Sequence, residues 1–226
     1  MPDIPVREQP PRWANALIFV LAELIAITLL FVADAKGLVP LSKTPFLFAV
    51  GWMSLRLRRS SWRTVGFAWP ASWPRAVAIG VAGGALMVLL ELFVTHRLLS
   101  AWLGPPDLSD FSNVTGNVGN FMLLLAVVWL LAAVGEELVY RGYLMNRAAG
   151  LIGANWVLSA VLVSVVFGFS HLDQGLTGML ENTLNGVILA IPYLVSGRNL
   201  VAPILAHGVQ DTIDVLLIYL GRYPGM

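Results

Sequence analysis

The chain contains no cysteine. That excludes disulfides, thiol nucleophiles and thiolate metal sites, and leaves carboxylate and imidazole chemistry. Charge is scarce as well: only 12% of the 226 residues are Asp, Glu, Lys or Arg, and the net charge is +1. So small an imbalance gives no electrostatic case for nucleic acid or for strongly acidic partners. Histidine occurs three times. There is no His-Glu-x-x-His helix, no phosphate-cradling glycine loop and no Gly-x-Ser-x-Gly elbow. Internal repeats and low-complexity tails are absent too.

What the chain has is apolar surface. Hydrophobic residues make up 58% of it, more than a soluble domain of this size can hide. The composition predicts an all-helical polytopic membrane protein. Spans must satisfy their own backbone hydrogen bonds, and alternating ten-residue strand patterns are absent, so a barrel is not expected. About seven spans are expected, at roughly 14–33, 40–55, 76–95, 119–140, 154–171, 176–195 and 200–220. In the second, Pro40, Lys43 and Pro45 interrupt the start, so it either crosses or re-enters. The first run, Ala14 to Ala33, is too long for a signal-peptide core and reads as a true span. His96 to Asn120 reads as an irregular polar loop. A single membrane domain over 1–226 is expected, with N-terminal spans in 1–118 and the polar motifs in 119–220.

Charge placement suggests an orientation. With the N-terminus inside and all seven segments crossing, Arg7, Arg12, Arg56, Arg58, Arg59, Arg63, Arg75, Arg141, Arg147 and Arg198 fall on that side; if the second segment fails to cross, everything before it flips. Lys36, Lys43, Arg97 and Arg222 fall outside. The positive-inside rule then predicts a cytoplasmic N-terminus, as for a multi-pass protein of a cell inner membrane.

Ionisable groups at hydrocarbon depth cost about 2.5–3.5 kcal/mol each on insertion scales, so by default they mark a working site. Glu136 and Glu137 end an apolar run and are followed by Arg141. On a helix Glu137 and Arg141 share a face and can pair, while Glu136 points about 100° away and is left free. That division predicts a structural clamp and a chemical carboxylate; a solvated helix end is the plainer reading. His171 ends the fifth span. Counting outward from a hairpin pivot near residue 151 puts Glu136 level with Phe167, one turn from His171, and Gly168 allows close helix approach. His207 and Asp211 lie one turn apart on the last span, with Asp214 a further turn on. The carboxylate can orient the imidazole, the pair can hydrogen-bond an oxyanion, or it can act as polar glue between helices. Glu181, Asn182 and Asn185 form a stripe that lines the same cavity or a wet helix end. Glu23 and Glu91 read as isolated packing or interfacial acids, and His96 as interfacial.

Together, Glu136-Glu137-x-x-x-Arg141, Phe167-x-x-x-His171 and His207-x-x-x-Asp211 resemble the signature of the CPBP intramembrane proteases. That family includes the type II CAAX prenyl endopeptidases and the bacterial Abi proteins. The resemblance covers about residues 119 to 220. It implies a catalytic cavity within the membrane, where Glu136 activates water with help from His171. His207 and Asp211 bind the scissile carbonyl or its oxyanion, and Glu137 and Arg141 support the site. It implies membrane lipid and a membrane-associated peptide or protein substrate as partners. The family is usually called metal-dependent, and Glu136, His171 and His207 are an acceptable ligand set for zinc or another divalent metal. A glutamate-activated water without metal fits the same residues. A proton-coupled transporter and a non-catalytic immunity or scaffold protein are the competing readings.

Overall fold

The computed structural model describes residues 17–40 and 42–224. The start of the first span, with Arg7 and Arg12, lies outside them. Seven helices occupy the described residues, and no strand is present among them. They are α1 (Leu17–Ala35), α2 (Thr44–Leu57), α3 (Trp73–Leu103), α4 (Val118–Leu151), α5 (Trp156–Phe169), α6 (Gly175–Val195) and α7 (Val201–Tyr219). Each matches one of the seven apolar segments. The protein is an all-helical integral membrane protein.

Length separates the helices. α1, α3, α4 and α7 are each long and apolar enough to cross a bilayer. α5 and α6 qualify together, bent by 59° at a short break. α2 has 14 residues and rises only about 21 Å, less than the roughly 30 Å of hydrocarbon. The expected loop from His96 to Asn120 begins later than its composition suggests. α3 continues to Leu103, and the irregular stretch starts at Gly104.

Local chemistry sets the ends. The Asn117 side chain accepts from Asn120 N at 3.0 Å and starts α4. Asn155 does the same for α5, accepting from Leu158 N at 3.0 Å. Between α4 and α5, Gly153 and Ala154 both take positive φ (69° and 61°), which turns the chain back sharply.

The packing is inverted relative to a soluble protein. Large apolar side chains such as Leu17, Leu29, Trp102, Leu130 and Val157 face outward, where lipid is as apolar as they are. α1 buries no residue fully and packs against α2. Polar groups sit inside instead: Glu91, His96, Glu137, Arg141, Glu181, Asn185, His207 and Gln210 are all buried. Around them the main core gathers Leu47, Ala133, Tyr140, Phe167, Tyr193 and Leu200. α3 lies along α7, α5 against α6, and α4 between α2 and α7.

The acids read as isolated are not isolated. Glu23 Oε1 and Oε2 each accept from Arg58, at 2.8 Å, and Oε2 accepts from Arg147 at 2.7 Å. Ser54 and Tyr143 also donate to it. One carboxylate thus joins α1, α2 and α4, because an acid at this depth needs cations or donors. Lys43 and Asp34 pair at 2.6 Å across the α1–α2 turn.

Candidate active site

The middle of α4, Val128–Leu144, is wound with i→i+5 hydrogen bonds and carries the first motif. Such π-helical stretches are frequent at functional sites. The expected clamp is present: Arg141 Nη1 donates to Glu137 Oε1 at 2.8 Å, with both side chains buried. Arg141 does more than pair. Its Nη2 donates to the Gly186 carbonyl of α6 at 2.8 Å, and its guanidinium lies 4.9 Å from the centre of the Phe167 ring on α5. One cation therefore ties three helices together.

Glu137 Oε1 has a second partner that the sequence did not suggest. His207 Nδ1 lies 3.0 Å from it. Asp211, the expected orienting acid, approaches Nε2 only to 3.7 Å, beyond hydrogen-bond range. The imidazole is thus oriented from α4, not from its own helix. In the neutral ring, Nδ1–H donates to Glu137 and leaves the Nε2 lone pair facing Asp211.

His171 sits at the break between α5 and α6, half-buried. Its Nδ1 lies 2.9 Å from the Phe167 carbonyl and 3.1 Å from Ser170 Oγ. A carbonyl only accepts, so Nδ1 carries the proton and Nε2 is left as the acceptor. The break is possible because α5 and α6 come very close at Gly168. A Cβ there would collide with Thr183 Oγ1 and fall 2.5 Å from the Met179 carbonyl.

Phe167 is the hub of the arrangement. Its ring centre is 4.9 Å from that of His171, 6.1 Å from His207 and 4.9 Å from Tyr140. Glu136 is half-buried and makes no hydrogen bond among the described residues. It lies within electrostatic range of His171, His207 and Asp211. The structure thus gathers Arg141, His171 and His207 around one aromatic ring, with Glu137 bonded to two of them and Glu136 and Asp211 within electrostatic range. Among the described residues, no three His, Asp or Glu side chains are arranged to hold a metal ion. The set of Glu136, His171 and His207 does not fit an ion in this arrangement.

Tyr140 was not singled out from the sequence. Its hydroxyl is fully buried beside the site and, among the described residues, has no hydrogen-bond partner of acceptable geometry. Two in-helix neighbours of Glu137 thus carry polar atoms into the interior, and only packing distinguishes Tyr140 from an ordinary core aromatic.

Glu181 and Asn185 line neither this site nor a wet helix end. They belong to a second buried cluster. Glu91 Oε2 accepts from Asn185 Nδ2 at 3.0 Å and from Gln210 Nε2 at 2.5 Å. Glu91 Oε1 accepts from the Tyr223 hydroxyl at 2.6 Å. Burial, reinforced by Glu91, holds the Tyr223 hydroxyl well above its ordinary range, so it remains a donor. His96, read as interfacial, is buried, with Nδ1 3.1 Å from Glu181 Oε1.

This is a helical membrane protein whose interior acids and imidazoles converge from three sequence-distant segments. Residues 118–213, which hold all three motifs, match the family described as Type II CAAX prenyl endopeptidase Rce1-like. The chain is also similar to an Escherichia coli protein described as an uncharacterized 24.3 kDa protein, 29% identical over 157 residues. That match covers 68% of this chain and 65% of the relative, so the chain spans somewhat less than two thirds of its length. No solved structure matches the chain.

Proposed function

We propose that this protein is an intramembrane endopeptidase that hydrolyses a peptide bond in a membrane-associated protein or peptide, with Glu136 activating water. The observation that carries the reading is the contrast between adjacent acids. Glu137 is locked by Arg141 and His207, whereas Glu136 has no hydrogen bond among the described residues and lies within electrostatic range of both imidazoles.

Glu136 takes a proton from water as the oxygen attacks the scissile carbonyl carbon. His171 Nε2, free because Nδ1 is held by the Phe167 carbonyl, accepts a hydrogen bond from the same water and orients it. The developing oxyanion is met from α7 by His207, in its doubly protonated form, and by Asp211 when it carries a proton. Glu136 then returns its proton to the leaving nitrogen as the C–N bond breaks. No step runs through a metal.

We read the chain as one membrane domain, with its N-terminus and the Arg56–Arg63 loop on the cytoplasmic side of an inner membrane, an orientation that requires the short α2 to cross with local thinning of the bilayer. The test is turnover in proteoliposomes. The probes are a quenched farnesylated peptide ending in a CAAX sequence and the same peptide without the lipid. Glu136→Gln abolishes cleavage while membrane insertion is unchanged. Normal turnover by that variant ends the proposal.

A further inference from the structure

The buried cluster around Glu91 lies outside the three motifs, yet it touches the helices that carry them. Glu91 begins a five-residue widened turn of α3, Glu91–Thr95, and such turns re-aim side chains within a helix. Its carboxylate is 4% exposed and receives three donors from three places: Asn185 on α6, Gln210 on α7 and Tyr223 beyond α7.

Two of those donors stand next to site residues. Asn185 precedes Gly186, whose carbonyl receives Arg141 Nη2. Gln210 precedes Asp211 and lies three residues after His207, on the neighbouring turn. Gly84 closes the other end of the α3–α7 contact. A Cβ there would lie 2.5 Å from the Ala206 carbonyl and 2.7 Å from Val209 Cβ. The backbones are therefore pressed together at Gly84, and the Glu91 hydrogen bonds set rotation and register about two turns further on.

We propose that Glu91 is a positioning residue of the hydrolytic site, fixing α6 and α7 so that Arg141 finds Gly186 and His207 finds Glu137. This rests on the function proposed above. Glu91 touches neither water nor substrate; it acts through the helices that bear Gly186, His207 and Asp211. A carboxylate suits the task because it accepts on both oxygens and has no donor to turn against the amides. Glutamine at the same place has one acceptor oxygen and presents an NH₂ to groups that themselves donate.

The experiment uses the full chain in micelles and in proteoliposomes. In Glu91→Gln, the ¹⁵N resonances of the His207 ring shift, because its bond to Glu137 lengthens. With the farnesylated CAAX probe, kcat falls by about ten- to a hundredfold with KM within about twofold, the scale of loss for a sub-ångström to ångström misplacement. The exchange Glu91→Gln with Gln210→Glu returns a carboxylate–amide pair across α3 and α7, and it restores both the resonances and most of kcat. Unchanged His207 resonances in Glu91→Gln overturn the proposal. So does a loss that the exchange leaves uncorrected while thermal unfolding remains that of wild type. The histidine spectra need no turnover, so a failure of the hydrolase reading, seen as full activity in Glu136→Gln, is distinguishable from a failure of this one.

Discussion

Arg141→Ala is the perturbation for which the structure sets the clearest magnitude. The guanidinium is 2% exposed and its partner Glu137 is 0% exposed. Removing the cation leaves a carboxylate buried, with His207 as its remaining partner. Breaking a buried pair from one side costs about 3–5 kcal/mol. The bond to the Gly186 carbonyl and the contact with the Phe167 ring go as well, which places the expected loss in the upper half of that range. Removing both charges is different. In Glu137→Leu with Arg141→Met no ion is left without a partner, and the chief remaining cost is the orphaned His207 Nδ1, about 1–3 kcal/mol. The double variant should therefore be more stable than Arg141→Ala, yet inactive, because nothing orients His207. Reversible unfolding by SDS in mixed micelles measures the stabilities, and peptide cleavage measures the function. A loss under about 0.5 kcal/mol in Arg141→Ala, or a double variant less stable than the single one, would refute the reasoning.

Gly168→Leu drives a side chain into Thr183 and the Met179 carbonyl; it should destabilise α5–α6 packing by about 1–3 kcal/mol or more and abolish cleavage, and wild-type thermal unfolding would contradict the close approach. Tyr140→Phe removes a buried hydroxyl that has no hydrogen-bond partner of acceptable geometry among the described residues and should raise stability by about 1–3 kcal/mol, read by the same SDS titration; a decrease would mean that the hydroxyl is bonded. Treatment with a strong divalent chelator should leave proteoliposome cleavage unchanged, and inhibition reversed by added zinc would overturn the metal-free reading. Because the chain has no cysteine, single cysteines at Arg59 and Asp107 report orientation cleanly: an impermeant maleimide applied to intact cells should label the second and not the first, and the reverse pattern sinks the proposed topology.

The fold class was legible because hydropathy is local. Each of the seven helices sits where an apolar run predicts one, and the Glu137–Arg141 pair follows from helical spacing alone. Spacing also predicts one depth for Glu136 and His171 from a hairpin around residue 151, and the two lie within electrostatic range of each other. Helix length was less legible. The turn at Gly104 ends α3 later than composition suggests, and the second segment, expected over 40–55, forms the 14-residue helix Thr44–Leu57.

Partnerships across helices needed the tertiary structure. A sequence shows that Glu23, Glu91 and His96 are polar groups in apolar surroundings, and from one helix each appears alone. Their partners, Arg58 and Arg147, Gln210 and Asn185, and Glu181, lie on other helices. His207 shows the same limit: four-residue spacing offered Asp211, but helix rotation gave the hydrogen bond to Glu137. Composition and periodicity decide that a segment is a helix in lipid, because those depend on one residue and its near neighbours. Which polar atoms meet inside the bundle depends on how each helix is turned and how closely glycines let it approach, and only the assembled chain sets those angles.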